Sequence, residues 1–182
     1  YVLSRTWGNY PGLFSADIGI ANPGMATTFF MPHQAEGSTG YLPNDRPHVA
    51  KLSLARDFRW GLSSGAFITY ESGVPINDFG AGPFTPTFPS FLAPRGTAGR
   101  TPDLWNLDLR FGYSLPQRGG MTTRIMADIL HVGNPRRATR VEELHYPTQD
   151  ANGVPGPPNP NYGQPVAYQP PMAARIGIQV GF

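Results

Sequence analysis

The last eight residues of the chain alternate between apolar side chains and polar or small ones. Successive side chains of a β-strand point to opposite faces, so this segment has one apolar face and one polar face. The apolar face carries Ile176, Ile178, Val180 and Phe182. The polar face carries Arg175, Gly177, Gln179 and Gly181. The segment therefore predicts a strand that lies between an apolar medium and a polar one.

Prolines show where further strands can lie. The chain has 21 prolines and 22 glycines among 182 residues. Proline cannot donate a hydrogen bond to a sheet, so segments without it are candidate strands. Six such segments have about the 9–11 residues that a tilted membrane-spanning strand requires. The predicted strands are 1–8, 48–58, 60–73, 104–115, 121–132 and 173–182.

The connections between these segments alternate in length. The links 57–61 and 116–120 are short turns, whereas 9–47, 74–103 and 133–172 are long. Short turns at one rim and long loops at the other are typical of bacterial outer-membrane barrels. We therefore expect an all-β fold, an antiparallel transmembrane β-barrel fragment of about six up-and-down strands, with short periplasmic turns and long extracellular loops.

Composition agrees with a membrane wall and argues against other classes. Charged residues are 14% of the chain, well below the usual quarter of a soluble domain. The net charge is +2 and the arginines are scattered, so no basic stripe predicts nucleic-acid binding. No apolar run approaches the roughly 18 residues of a membrane helix. The alternation also fits a secreted β-sandwich binding module, which buries one face of each sheet.

Segment 104–115 shows most clearly which side chains would meet lipid. A charge at mid-bilayer costs about 2–4 kcal/mol on a barrel wall, so charged side chains should face the lumen. Arg56 breaks this parity, near a short turn. The predicted lipid-facing residues are Trp105, Leu107, Leu109, Phe111, Tyr113, Ile176, Ile178 and Val180. The predicted lumen-facing residues are Lys51, Asp108, Arg110, Arg124, Asp128 and Arg175.

No pattern of catalytic or metal-binding residues stands out, so we expect no enzyme activity, metal or cofactor. Asp108 with Arg110, and Asp128 with Arg124, share strand faces and fit structural charge pairs inside a barrel. No two histidines have metal-ligand spacing; they are His33, His48, His131 and His145. Several aromatic residues of the long links fit either ligand stacking or mutual packing of loops. They are Tyr10, Phe29, Phe30, Phe84, Phe88, Phe91, Tyr162 and Tyr168.

Five motifs together resemble one protein family, the TonB-dependent outer-membrane receptors, and within it the Oar-like group with a carboxypeptidase-regulatory-like domain. Each motif alone is weak, but the combination spans most of the chain. The motifs are GYLPNDRPH at 40–48, YESGVPIN at 70–77, PRGTAGRTPDLWNLDLR at 94–110, DILHVGN at 128–134 and NYGQPVAYQPPMAARIG at 161–177. His131 and Gly133 depart from the "DVFNVFN" that is usual in the family.

The resemblance implies a bacterial outer-membrane receptor that imports a ligand, which could be an oligosaccharide, a siderophore or a peptide. In the family about two dozen strands close around an N-terminal plug, and energy arrives through a TonB box. Six strands without a plug predict the C-terminal part of such a receptor, with the N-terminal part missing. A smaller complete barrel, such as a porin or an enzyme, is the alternative.

The resemblance also implies partners and an assembly signal. The expected partners are outer-membrane lipid, the barrel-assembly machinery, TonB through the missing N-terminal part, and the imported ligand. Outer-membrane barrels carry a terminal sorting signal, which strand pairing at an open edge would recognise. The residues that match this signal are Arg175, Gly177, Val180 and Phe182.

Overall fold

A computed structural model describes residues 1–12, 35–82, 89–116 and 120–181. Within these ranges the regular elements are β-strands, and no helix has the length and apolar character needed to cross a membrane. The strands are β1 (Val2–Leu3), β2 (Trp7–Gly8), β3 (Gly40–Tyr41), β4 (His48–Asp57), β5 (Leu62–Glu71), β6 (Phe79–Gly80), β7 (Ser90–Phe91), β8 (Leu104–Ser114), β9 (Thr122–Leu130), β10 (Ala138–Val141), β11 (Leu144–Tyr146), β12 (Pro165–Tyr168) and β13 (Ala173–Gly181).

Six strands form the main sheet, in the order β1-β4-β5-β8-β9-β13. Every neighbouring pair in it is antiparallel. Within the described residues the sheet stays open rather than closing into a barrel, with β1 and β13 at its edges. Its five long strands have 9 to 11 residues, the length with which a tilted strand crosses a bilayer.

The register of the main sheet separates apolar and polar side chains onto opposite faces. A central row runs through Leu54, Ala66, Leu109 and Ile129. The row beside it runs through Ala55, Gly65, Arg110 and Asp128. Because adjacent rows point to opposite faces, a slip of one residue would exchange the two sets. We call the two surfaces the apolar face and the polar face.

The apolar face has no covering layer within the described residues. Leu54 is 54% exposed and Ile178 is 69% exposed. Trp105 and Phe111 remain 36% and 39% exposed. Elsewhere in the described ranges, the buried apolar side chains are those of Phe79, Ala138 and Pro75. A soluble domain buries such a face against a second layer, so this sheet lacks the core of a soluble sandwich in the described part of the chain.

The long strands begin and end within two residues of the bounds predicted from the sequence. The first prediction, one strand over 1–8, differs from the structure, which divides it into β1 and β2. β1 pairs with β4, whereas β2 pairs with β3 in a separate sheet. Between them, Thr6 donates its backbone N–H to Asp45 Oδ1 at 2.6 Å. A side chain therefore replaces the backbone partner, and the ladder is interrupted there.

The long links contain short strands that we did not predict. At the ends of the long strands opposite the short turns, the segments 35–47, 72–82, 89–103 and 131–172 form what we call the outer layer. In it, β11 and β6 pair in parallel, β6 and β7 pair antiparallel, and β10 pairs with β12. The predicted long loops are thus tied together by backbone hydrogen bonds.

Candidate functional site

The polar face carries a carboxylate held between two arginines. Arg110, Asp128 and Arg175 lie side by side on β8, β9 and β13. Arg110 Nε donates to Asp128 Oδ1 at 2.8 Å. Arg175 donates to Oδ2 from Nε at 2.9 Å and from Nη2 at 2.6 Å. The Asp128 side chain is 8% exposed, whereas those of Arg110 and Arg175 are 63% and 68% exposed. The cluster therefore presents guanidinium groups with a net positive charge.

The charge pairs expected within single strands do not form. Arg124 shares a face with Asp128 but donates to Ser63 Oγ at 2.7 Å. Asp108 Oδ1 accepts the backbone N–H of His131 at 2.8 Å. Directly opposed residues on neighbouring strands have Cβ atoms about 4.5–5.5 Å apart, closer than residues two apart on one strand. Cross-strand contact therefore determines the partner of Asp128.

A shallow groove lies beside this cluster. Its volume is about 420 Å³, and Arg110 and Asp128 form part of its wall. Residues with small side chains, Ser53, Ala55 and Gly65, also line it. Because these side chains are short, the groove opens directly over the backbone of the sheet.

The turn after β9 has a left-handed backbone at three positions of the DILHVGN motif. His131 and Asn134 have φ values of 56° and 45°, and Gly133 has 82°. Asparagine tolerates this left-handed region better than most residues, which fits the "N" that the family usually has at the position of His131. In this chain, His131 Nδ1 lies 2.6 Å from Asn106 Oδ1. That contact holds the side chain at the outer end of the polar face.

Three of the sequence motifs meet at Asp45, which is 0% exposed. The Arg100 guanidinium forms an ion pair with the Asp45 carboxylate. Arg100 Nη1 also donates to the carbonyl oxygens of Gly73 at 2.9 Å and Asp45 at 3.1 Å. Asp45 belongs to GYLPNDRPH, Gly73 to YESGVPIN and Arg100 to PRGTAGRTPDLWNLDLR. The motifs therefore fix the outer layer to the start of β4 and the end of β5.

Asp103 also ties the outer layer to the end of β5, and we call this region of contacts around Asp45 and Asp103 the junction. Its Oδ2 accepts the Tyr70 hydroxyl at 2.6 Å, and its Oδ1 accepts the Gly73 N–H at 3.0 Å. The hydrogen bond from Tyr70, followed by that from Gly73, lowers the pKa of the Asp103 carboxyl from its ordinary value. Both bonds favour the charged form. The ionised carboxylate is thus part of the folded junction.

Arg95 is the centre of a second buried contact, and it is only 2% exposed. Its Nε donates to the Ser38 carbonyl oxygen at 2.6 Å. Its guanidinium lies 4.7 Å from the centre of the Phe91 ring. A Cβ on Gly40 would come within 2.0 Å of the Arg95 carbonyl oxygen. The close backbone approach therefore requires glycine at position 40.

A stack of rings joins two segments of the outer layer. The His145 ring is stacked on Tyr162 at 4.1 Å between centroids and on Tyr146 at 4.2 Å. His145 Nδ1 lies 3.0 Å from Asp78 Oδ1. Burial, followed by the nearby charge of Asp78, raises the pKa of the Tyr162 hydroxyl. The rings tie β11 to the turn that contains Tyr162, and the contact with Asp78 ties β11 to the residue before β6.

The loop aromatics that the structure describes contact their own chain. The ring centroids of Phe91 and Phe79 are 4.8 Å apart, and the Arg136 guanidinium lies 4.7 Å from the centre of the Tyr168 ring. Tyr162 contacts His145, as above. These contacts favour mutual packing over ligand stacking for these three residues. Four of the predicted loop aromatics lie outside the described residues, namely Phe29, Phe30, Phe84 and Phe88. His33 lies outside them as well.

A small cleft opens within the outer layer, with a volume of about 220 Å³. Its polar lining includes Arg46, Asn77, Thr101 and Glu143, and Val74 is among its apolar lining residues. Asn77 donates from its backbone N–H to Glu143 Oε1 at 2.9 Å. In the described ranges, no group of three or more histidine, aspartate or glutamate side chains has a geometry that could hold a metal ion.

The residues singled out for the two faces do segregate as their parity requires. Lys51, Asp108, Arg110, Arg124, Asp128 and Arg175 all lie on the polar face. The opposite face carries Trp105, Leu107, Leu109, Phe111, Tyr113, Ile176, Ile178 and Val180. In the predicted assembly signal, Arg175, Gly177 and Val180 lie in β13, and Phe182 is outside the described residues.

Asp45, Arg95 and Asp103 were not recognised as site residues from sequence. Each lies in a motif, which is the only signal that could have found them. The hydrogen-bond partners described above for their side chains are 30 to 57 positions away along the chain, so spacing could not reveal these contacts.

The chain was compared with known proteins. No protein-family model and no solved structure matches it. It is 28% identical over 216 aligned positions to the TonB-dependent transporter Oar of Myxococcus xanthus, and the match covers 100% of this chain and 20% of that protein. The chain thus spans about a fifth of the length of the curated relative. The resemblance to an Oar-like TonB-dependent receptor, predicted from the motifs, is confirmed by this similarity to the Oar transporter, which extends over the whole of this chain.

Proposed function

We propose that the chain forms part of the wall of a transmembrane β-barrel in a bacterial outer membrane. In this proposal the apolar face contacts lipid and the polar face lines the lumen. The observation that carries it is that no residue of the apolar face on the five long strands is buried, with Trp105 and Phe111 at 36% and 39% exposure. Exposed apolar patches of this extent mark a surface that is covered in the functional state.

Strand length and aromatic placement support lipid as the cover. β8 has 11 residues, and Trp105 and Tyr113 lie near its two ends on the apolar face. At about 3.4 Å per residue, these rings are separated by roughly 27 Å along the strand. At the 35–45° tilt of barrel strands, this separation spans roughly 19–22 Å along the bilayer normal, which places both rings near the borders of the apolar band about 25 Å tall that lies between two aromatic girdles.

The complete protein, in this proposal, is a TonB-dependent receptor of the Oar group, and the chain is its C-terminal part. Ligand import then belongs to the complete protein, with energy delivered by TonB at its N-terminal part. An oligosaccharide, a siderophore and a peptide are the candidate ligands. We also propose that Arg175, Gly177 and Val180, with Phe182, are read by the barrel-assembly machinery through pairing at the β13 edge.

A matched pair of substitutions tests the orientation of the wall. Leu54 and Ser53 are neighbours on β4 that point to opposite faces. Leu54→Arg would place a charge in hydrocarbon at a cost of about 2–4 kcal/mol, so the complete polypeptide should fail to assemble in outer membranes. Ser53→Arg would point to the lumen and should assemble. Membrane flotation and heat-modifiable gel migration measure both, and equal assembly of the two variants would reject the proposal.

A further inference from the structure

Arg56 occupies an exceptional position on the main sheet. The register places it in the row of Ser64, Phe111, Ala127 and Ile176, on the apolar face. No other Asp, Glu, Lys or Arg lies on that face in the five long strands. Arg56 is exposed, and no acidic partner is found for it among the described residues. Arg56 is thus the one charged side chain of the five long strands that would face whatever medium covers the apolar face.

Aromatic rings hold this cation at the rim of the short turns. The Arg56 guanidinium lies 5.1 Å from the centre of the Phe58 ring. Phe58 contacts Trp60 at 5.9 Å between centroids, and Trp60 contacts Tyr113 at 6.4 Å. Trp60 is 63% exposed. Tryptophan and tyrosine prefer the headgroup level of a bilayer, with the ring in an apolar layer and the polar atom in water. The cluster therefore marks the height at which headgroups would lie.

We propose that Arg56, with Phe58, Trp60 and Tyr113, forms a binding site for the phosphodiester group of a phospholipid in the leaflet on the side of the short turns. The inference rests on the proposed function, because it requires lipid against the apolar face. It adds a specific lipid contact at one arginine.

Charge complementarity selects the phosphodiester. The guanidinium fork matches the oxygens of a phosphate with two parallel hydrogen bonds. Next to Arg56 on the same face, the short side chain of Ser64 lies between Arg56 and Phe111. This leaves space beside the cation for the glycerol end of a lipid. Leu54 and Leu109 continue the apolar face beyond this row, where acyl chains would lie. A free phosphate ion would use only the cation and none of this apolar surface.

The test uses the complete encoded polypeptide, purified in a phosphate-free maltoside detergent and stripped of lipid. Arg56→Gln removes the charge and keeps most of the side chain. Arg59→Gln is the matched control, because Arg59 is also exposed and lies in the adjoining turn outside the strands. Native mass spectrometry then measures binding of phosphatidylglycerol, of a phosphate-free galactolipid, and of inorganic phosphate.

Arg56→Gln should weaken binding of the first phosphatidylglycerol about fivefold, the effect of one basic residue near a charged lipid surface. Arg59→Gln should leave it unchanged, and neither variant should alter galactolipid binding. The inference is overturned by unchanged phosphatidylglycerol binding in Arg56→Gln, by an equal loss in Arg59→Gln, or by an equal loss for the galactolipid. Phosphate-ion binding that depends on Arg56 would overturn the choice of lipid as the occupant.

Membrane flotation of the same proteins separates this inference from the proposed function. If the wild-type protein does not float with membranes, the barrel wall is wrong and the headgroup site is wrong with it. If wild type and Arg56→Gln float equally while lipid binding is unchanged, the wall stands and only the headgroup site is rejected.

Discussion

The main sheet and the outer layer distribute polarity in opposite ways. On the sheet, Ile176 and Ile178 are 78% and 69% exposed, although they are fully apolar. In the outer layer, Asp45 and Arg95 are 0% and 2% exposed, although they are charged. The outer layer satisfies its buried charges with its own hydrogen bonds and ion pairs. The sheet leaves its apolar face to be covered by something else, and in our proposal that is lipid.

The comparison predicts different sensitivities in the two regions. The outer layer should respond strongly to single changes that disturb internal contacts. The polar face of the sheet should tolerate similar changes better, because the two arginines that hold its buried carboxylate, Asp128, are open to solvent.

The largest effect is expected for Gly73→Ala. The added Cβ would lie 1.6 Å from the Thr101 carbonyl oxygen, a backbone atom. Backbone atoms cannot rotate away, so the junction should lose more than about 4 kcal/mol of stability. Limited proteolysis of the complete polypeptide should show early cleavage in the outer layer. Gly8→Ala is the control, because its Cβ would meet only Leu42 Cδ1 at 4.0 Å. Equal protease resistance of both variants would contradict the close approach.

A smaller effect is expected for Asp45→Ala. The change leaves the Arg100 guanidinium without its carboxylate and the Thr6 N–H without its acceptor. Breaking a buried pair in this way costs about 3 kcal/mol of unfolding free energy. Asp128→Ala is the comparison on the sheet, where about 1 kcal/mol is expected because both arginine partners are more than half exposed. Urea unfolding of the two variants measures the difference. A larger loss for Asp128→Ala would reverse the comparison.

The smallest effect is a dependence on pH. Because the Tyr70 hydrogen bond and then the Gly73 N–H lower the pKa of Asp103 in the folded state, the carboxylate stabilises the junction fully above about pH 4. That contribution is lost as the pH falls through the lowered pKa. Tyr70→Phe should therefore reduce the loss of outer-layer protease resistance between neutral and acidic pH. Tyr113→Phe, at the end of β8 near the short turns, should not. An unchanged pH profile in Tyr70→Phe would contradict this role of Asp103.

The sheet could be predicted from sequence because its signals are local. Alternation with a period of two and exclusion of proline are properties of single segments, and they predict opposite faces for Trp105 and Asp108, as the register also has them. The same alternation marked Arg56 as an exception, and the register confirms that it lies on the apolar face.

The outer layer could not be predicted in the same way. Its strands are as short as two residues, such as β6 and β7, and they give no periodic pattern. Its contacts join residues that are distant in sequence, such as Arg95 and Ser38. The interruption after β1 depends on the Asp45 side chain, 39 positions from Thr6. The cross-strand partners of Asp128 likewise depend on the register, which no single strand contains.

Oxygen accessibility along β8 tests most directly whether the apolar face meets lipid. The chain contains no cysteine, so single cysteines at Leu107, Asp108, Leu109, Arg110 and Phe111 can each carry a spin label in the complete, membrane-inserted protein. We predict an oscillation with a period of two, in which positions 107, 109 and 111 collide with dissolved oxygen and positions 108 and 110 collide with a water-soluble nickel reagent. A flat profile, or one with low oxygen access at 107, 109 and 111, would contradict the account.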